Sequence, residues 1–180
     1  MKLLHINLKD LYPSILSNDA YLDGFIYDDS FEYPNARRRS ILVLPGGGYD
    51  FVSEREKDPV MHCFSSFGYN TFSLTYSCHT KYPVPYLELM CAMYYLNTHT
   101  NELGIIPKTT TLVGFSAGGH LACSYAGIYK SLNKNAIRPY ALILAYPVTS
   151  LVKTNNPEYI YYFALNVEGA TIDKLAIAIV

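Results

Sequence analysis

The chain has 180 residues, half of them apolar, and a formal net charge of -1, which is enough for one substantial core and short for two, so a single domain over residues 1–180 is expected. A near-neutral balance offers no general attraction to nucleic-acid phosphates or to an anionic membrane. The only basic cluster, Arg37-Arg38-Arg39, lacks interleaved aromatics, is offset by Asp28, Asp29 and Glu32, and reads as a solvated lead-in to a strand, so neither nucleic acid nor membrane is expected as a partner.

In chain order, residues 3–9 and 24–28 can form two short strands separated by a Pro/Ser/Asn/Asp-rich connection around Pro13 to Asp19, which predicts an antiparallel edge. The first ten residues alternate apolar and polar instead of forming an unbroken apolar run, and no stretch approaches a membrane span, so a cytoplasmic protein is expected. Ser40 to Leu44 is a continuous apolar run of strand length, as in a parallel sheet covered on both faces, and it ends abruptly in Pro45-Gly46-Gly47-Gly48-Tyr49. The next helix should bury Val60, Cys63, Phe64 and Phe67 on one face and stop at Gly68. Two start signals compete for it: a capping box in Ser53-Glu54-Arg55-Glu56, and an N-cap with proline in Asp58-Pro59.

Thr71 to Tyr76 reads as a strand, and Leu87, Met90, Cys91, Tyr94 and Tyr95 mark an amphipathic helix closing near Gly104. The β-branched and apolar run Thr109 to Val113 predicts another strand, which hands over to a helix from His120 to Tyr129 with Leu121, Ser124, Tyr125 and Ile128 at helical spacing. Tyr140 to Tyr146, ended by Pro147, is one more buried strand, and Pro157 to Asn166 reads as a helix over the same sheet edge. Strands alternating with helices imply right-handed crossovers and a doubly wound, mostly parallel sheet in a three-layer αβα arrangement. The irregularly spaced Cys63, Cys78, Cys91 and Cys123 form no C-x-x-C pair and have no histidines set as zinc ligands, so they read as reduced core residues, and neither metal nor cofactor is expected.

Between the strand expected over Thr109 to Val113 and its helix lies Gly114-Phe115-Ser116-Ala117-Gly118, with the G-x-S-x-G spacing of a nucleophile elbow. A serine in a sharp strand-to-helix turn projects its Oγ away from the backbone, and glycines two residues to either side avoid a collision there. A bare five-residue pattern matches an ordinary turn about as readily as a catalytic one. Acyl transfer also requires donors for the oxygen that becomes negative when the nucleophile adds to a carbonyl. The Ala117 N–H at the start of the elbow helix is one source, and the Gly46-Gly47-Gly48 turn, leaving an earlier buried strand at the same sheet edge, is another. The pairing of the two motifs is what makes the signal specific.

Pro45-Gly46-Gly47-Gly48-Tyr49, Ser53-Glu54-Arg55-Glu56, Tyr82-Pro83-Val84-Pro85 and the extended Gly114-Phe115-Ser116-Ala117-Gly118-Gly119-His120-Leu121-Ala122 resemble the α/β-hydrolase acetyl esterase and lipase-like family, close to bacterial carbohydrate esterases, over roughly residues 20–170. The resemblance implies an α/β-hydrolase fold, Ser116 as nucleophile, and Gly47, Gly48 and Ala117 as oxyanion donors. It implies small acyl esters, including acetylated sugars, as substrates. Pro45 departs from the histidine that opens the glycine turn in many relatives, without disturbing donors that are backbone amides.

The larger departure concerns the rest of the triad, which in this fold runs serine, then acid, then histidine along the chain. The five histidines are His5, His62, His79, His99 and His120, and none follows His120. His120 lies four residues past the serine, set back one turn, with a packing role implied by the resemblance. His79, just after a strand's C-terminal end, is expected to be substrate-side or incidental. Glu158, Glu168 and Asp173 read as capping or solvent residues. Triad acid and base are thus unassigned, and the chain reads as C-terminally truncated, frame-shifted, or completed by another chain. On that reading the chain alone turns over esters roughly a million-fold more slowly than an intact relative, and an unprotected strand at 140–146 invites a homodimer. The competing expectations are a non-catalytic α/β-hydrolase-like binding protein and a small-substrate serine peptidase.

Overall fold

A computed structural model describes residues 1–32, 34 and 36–148. Its strands are β1 (Lys2–Asn7), β2 (Tyr21–Ile26), β3 (Ser40–Leu44), β4 (Asn70–Thr75), β5 (Thr111–Phe115) and β6 (Ala141–Ala145). Its helices are α1 (Leu8–Leu11), α2 (Asp58–Ser66), α3 (Val84–Thr98) and α4 (Ser116–Leu132). The strands form one sheet in the order β1-β2-β4-β3-β5-β6. β1, β2 and β4 pair antiparallel, while β4, β3, β5 and β6 pair parallel. The expected antiparallel edge and parallel centre are therefore both present. Their bounds move: β1 ends at Asn7 because Asn7 Oδ1 accepts the Lys9 N–H at 3.1 Å and caps the single turn of α1, and β2 begins at Tyr21, earlier than 24.

Alternation along β3 divides the core. Leu42 and Leu44 face the side covered by α3 and α4, together with Leu22, Phe72, Leu74 and Leu112. Ile41 and Val43 face the other side, where Met61 of α2 closes over them with Val113. A strand buried on both faces reads as a continuous apolar run, and each such side chain contributes roughly 1.5–3 kcal/mol by leaving water.

Helix details differ from expectation in three places. The second helical segment opens as a 3₁₀ turn over Glu54–Glu56 followed by α2 with Pro59 in its first turn, but neither expected cap forms: Ser53 makes no side-chain cap bond, and Asp58 is already helical, with Lys57 as the N-cap. In α2 the buried positions are Met61 and Ser65, whereas Cys63 is exposed and Phe67 is 74% exposed. That stripe is rotated from the expected one, and of the four cysteines only Cys91 is buried. α3 is not amphipathic: from Pro85 to Leu96 every residue but Tyr94 is buried or half-buried, including Glu88. Glu88 accepts the Ser77 N–H at 2.8 Å and the Ser77 hydroxyl, yet burial raises its carboxyl to about 7.

α4 starts at Ser116 itself. β6 was expected to be buried throughout, but only Leu144 is, because β6 pairs with β5 alone among the described residues. The expected helix from Pro157 to Asn166, and Glu158, Glu168 and Asp173, lie outside the described residues. No helix among the described residues is long and apolar enough to cross a membrane.

Candidate active site

β3 and β5 are neighbours, with Leu44 opposite Gly114, so the segments leaving their C-terminal ends meet at one sheet edge. Phe115 is still extended, at φ -113° and ψ 131°, and Ser116 turns abruptly to φ 48° as the first residue of α4. A non-glycine residue in the left-handed region is strained, and the surroundings must over-determine it. They do so by close backbone packing. A Cβ on Gly118 would lie 2.0 Å from the Leu44 carbonyl oxygen and 2.4 Å from that of Pro45, and one on Gly114 would lie 2.6 Å from the Gly118 oxygen. Glycines two residues to either side of Ser116 let the helix start sit directly on the end of β3.

The glycine turn after β3 folds back on itself. Gly47, Gly48 and Tyr49 all have positive φ, at 126°, 67° and 62°. The Asp50 N–H donates to the Gly47 carbonyl at 3.0 Å, and the Ser53 N–H donates to that of Gly46 at 3.0 Å. A Cβ on Gly46 would lie 3.0 Å from Ser116 Cβ, so turn and elbow are in contact. Four of the five described non-glycine residues with positive φ, namely Tyr49, His79, Ser116 and Tyr146, lie in segments leaving the C-terminal ends of strands; Lys108 precedes β5.

Side chains hold the turn from below. The Tyr76 hydroxyl donates to the Pro45 carbonyl at 2.7 Å, and Glu56 Oε2 accepts the Gly46 N–H at 2.7 Å. Tyr49 Oη and His120 Nδ1 are 2.9 Å apart, with the rings edge to face. Burial lowers His120 to about 4, so its imidazole is neutral at pH 7, and burial raises the Tyr49 and Tyr76 hydroxyls well above their ordinary range. At the rim, the His79 N–H donates to the Tyr49 carbonyl at 3.0 Å and His79 Nε2 lies 2.9 Å from Asp50 Oδ1, with both side chains largely exposed.

The order of the strands, the helices on both faces, and an elbow beside a glycine turn together describe an α/β-hydrolase fold. The model of the BD-FAE family matches residues 31–159, most of the chain. The chain belongs to the BD-FAE family. It is similar to endo-1,4-beta-xylanase B of Butyrivibrio fibrisolvens, at 29% identity over 126 residues, covering 63% of this chain and 20% of that protein. It is also similar to an acetylxylan esterase of Xylanibacter ruminicola, at 27% identity over 143 residues, covering 78% of this chain and 29% of that protein. Among solved structures, MGS-M1, an α/β-hydrolase enzyme from a Medee basin deep-sea metagenome library, superposes with a TM-score of 0.71 at 33% identity, over 82% of this chain and 57% of that one. An acetyl ester-xyloside bifunctional hydrolase from Caldicellulosiruptor lactoaceticus superposes with a TM-score of 0.74 at 28% identity, over 88% and 62%. The chain thus spans 20% and 29% of the curated relatives' lengths.

Within this BD-FAE domain, Ser116 and Ala117 open α4 beside Gly46, and Gly47 and Gly48 follow Gly46 in the same turn. His120 is buried against Tyr49 on α4, and His79 pairs with Asp50 at the rim. Sequence reasoning missed three residues: Tyr76, Tyr146 and the use made of Glu56. Glu56 stands in what reads as a capping box, but its carboxylate returns to the glycine turn instead of capping the local helix.

Proposed function

We propose that the chain is a serine carboxylic-ester hydrolase acting on small acyl esters, with acetylated carbohydrates as the substrate class. The observation that supports this reading most is the strained Ser116 at the β5–α4 junction, in contact with a glycine turn whose neighbouring amides can converge on one oxygen. In this reading Ser116 Oγ adds to the acyl carbon while a general base takes its proton, and the alcohol leaves with a proton returned to it. The acyl-serine ester is then opened by water. The Gly47, Gly48 and Ala117 N–H groups stabilise the oxyanion in both steps, and the dipole of the seventeen-residue α4 adds to the Ala117 donor. Gly46 is not among these donors, because Glu56 holds its N–H.

The base and its acid partner are not assigned to described residues. His120 is neutral and therefore chemically able to accept a proton, but its Nδ1 faces Tyr49; His79 faces Asp50. The similarity to an acetylxylan esterase, and to a hydrolase whose name includes an acetyl ester, supports acetyl as the acyl group. The test is hydrolysis of p-nitrophenyl acetate by the full chain, with peptide mass spectrometry after brief exposure. An acetyl group on Ser116, and loss of both adduct and hydrolysis in Ser116→Ala, is the expected result. Hydrolysis that persists unchanged in Ser116→Ala overturns the reading.

A further inference from the structure

The carboxylate of Glu56 has no part in the acyl-transfer steps above, yet it is aimed at the turn that supplies the oxyanion donors. Its Oε2 accepts the Gly46 N–H at 2.7 Å, and its Oε1 accepts the Tyr146 hydroxyl at 2.6 Å. The Pro45 carbonyl, at the other end of the same peptide unit, accepts the Tyr76 hydroxyl at 2.7 Å. The Pro45–Gly46 peptide is therefore fixed at both its amide and its carbonyl by side chains from separate segments. The run of positive φ at Gly47, Gly48 and Tyr49 begins immediately after it. Glycine-rich backbone can rotate peptide planes at small cost, and a rotated plane points its N–H away from the developing oxyanion. A hydrogen bond to a carboxylate is roughly twice as strong as one between neutral groups, which suits it to hold such a plane. Through Tyr146 the same carboxylate reaches the elbow: the Tyr146 ring packs 6.0 Å from that of Phe115, the residue before Ser116. The Glu56 bond also raises the Tyr146 hydroxyl above its ordinary range, as expected for a phenol donating to an anion.

We propose that Glu56 is a positioning residue for the oxyanion turn, fixing the Pro45–Gly46 peptide plane so that the Gly47 and Gly48 amides face Ser116. The inference rests on the assignment of Ser116 and those amides in the preceding section, and its test separates the two. The variants are Glu56→Ala, Glu56→Gln and Tyr146→Phe in the full chain, with Ser116→Ala defining the background. Glutamine keeps an oxygen for the Gly46 N–H without the charge, and its thermal midpoint confirms that loss of activity is not loss of fold.

In Ser116-dependent hydrolysis of p-nitrophenyl acetate, Glu56→Ala should lower kcat about 100-fold, the scale of losing one oxyanion donor, with KM changed less than about threefold. Glu56→Gln should recover to within about tenfold of the unsubstituted chain, and Tyr146→Phe should lose less than Glu56→Ala. Unchanged kcat in Glu56→Ala, an effect on KM alone, or an equal loss in Glu56→Gln overturns the proposal. The amide spectrum supplies a readout that does not depend on turnover. The Gly46 proton should resonate far downfield, and Glu56→Ala should displace the Gly47 and Gly48 amides along with it. If Ser116-dependent turnover is too slow to measure, as expected of a chain without its triad base, these spectra alone decide the clamp: a change confined to Gly46 overturns it.

Discussion

At the antiparallel end of the sheet, long side chains reach across the surface. The amino terminus of Met1 pairs with Asp28, Lys9 lies 3.6 Å from Asp19, and Asp23 on β2 receives both His5 and, at 2.8 Å, Lys57. At the C-terminal ends of the parallel strands, by contrast, backbone meets backbone, and polar side chains are directed at peptide groups. Gly118 rests on the Leu44 and Pro45 carbonyls, Tyr76 and Glu56 hold one peptide, and Ser116 is kept at φ 48°. The first arrangement can lose a contact and relax, since the exposed Met1, Lys9, Asp19 and Asp28 groups exchange partners at little cost. The second has no slack, and that is what allows it to hold strained residues.

The same chemical change made in both regions breaks or sharpens this contrast most strongly. Gly118→Ala places a Cβ 2.0 Å from a backbone oxygen, so α4 must move off β3; the expected result is a loss of about 3 kcal/mol or more in urea unfolding, together with loss of acylation at Ser116. Gly24→Ala in β2 meets the Phe72 ring at 2.7 Å, a side chain and not backbone, and should cost about 1–3 kcal/mol while leaving acylation intact. Equal costs at the two positions would remove the distinction.

A smaller effect is expected at Glu88, buried on α3 against Ser77 just past β4. Its carboxyl is raised by burial from an ordinary 4.5 to about 7. A carboxyl raised on folding adds stability that is full below 4.5 and is lost as pH climbs toward 7, because the folded state then has to ionise a buried group. Glu88→Gln should abolish that slope and leave the variant more stable than the parent at pH 8, by up to about 3 kcal/mol on the linkage relation. His120 acts in the opposite sense. Its pKa falls to about 4 on burial, so its contribution is full above 6.5 and is lost as pH drops toward 4. Comparison of Glu88→Gln with its parent isolates the Glu88 part. An unchanged pH profile would show that Glu88 is not the buried acid described.

The smallest effect belongs to Asp23. Burial acts to raise its carboxyl, but the bonds from His5 and Lys57 outweigh this and hold it below the usual range, so its contribution is present above the ordinary carboxylate pKa and fades as pH falls through the lower folded value. Asp23→Asn should cost about 1 kcal/mol or less at pH 7 and leave ester hydrolysis untouched. A larger loss would mean that the antiparallel end is as tightly determined as the site.

Much of this contrast was legible in the sequence, and the illegible parts share one cause. β3 announces itself because burial on both faces demands an unbroken apolar run, β5 because a β-branched run leads into the elbow, and the elbow because its constraints lie within five consecutive residues, Gly114 to Gly118. α3 was misread because a helix apolar on every side still contains a 3.6-residue stripe, so the pattern matched amphipathic spacing without having a polar face. Cys63 and Phe67 were misplaced because a small rotation of α2 about its axis decides which stripe touches Val43. Glu56 shows the limit most plainly. Its local context fits a capping box, whereas its partners are ten residues back at Gly46 and ninety residues ahead at Tyr146. A contact across ninety residues leaves no trace in local spacing.

The buried circumference of α3 has a consequence for how the molecule comes apart. Sheet and α4 cover only part of that helix; Leu8, Leu16 and Ala20 of the N-terminal segment belong to the same core, α1 touches α3, and the Tyr12 ring meets that of Tyr94 at 6.2 Å. Tyr12 is buried enough to have its hydroxyl raised to about 12, chiefly by desolvation. Residues 8–20 thus cover part of α3. Removing them should expose apolar surface of α3 to water and promote association, which light scattering would register.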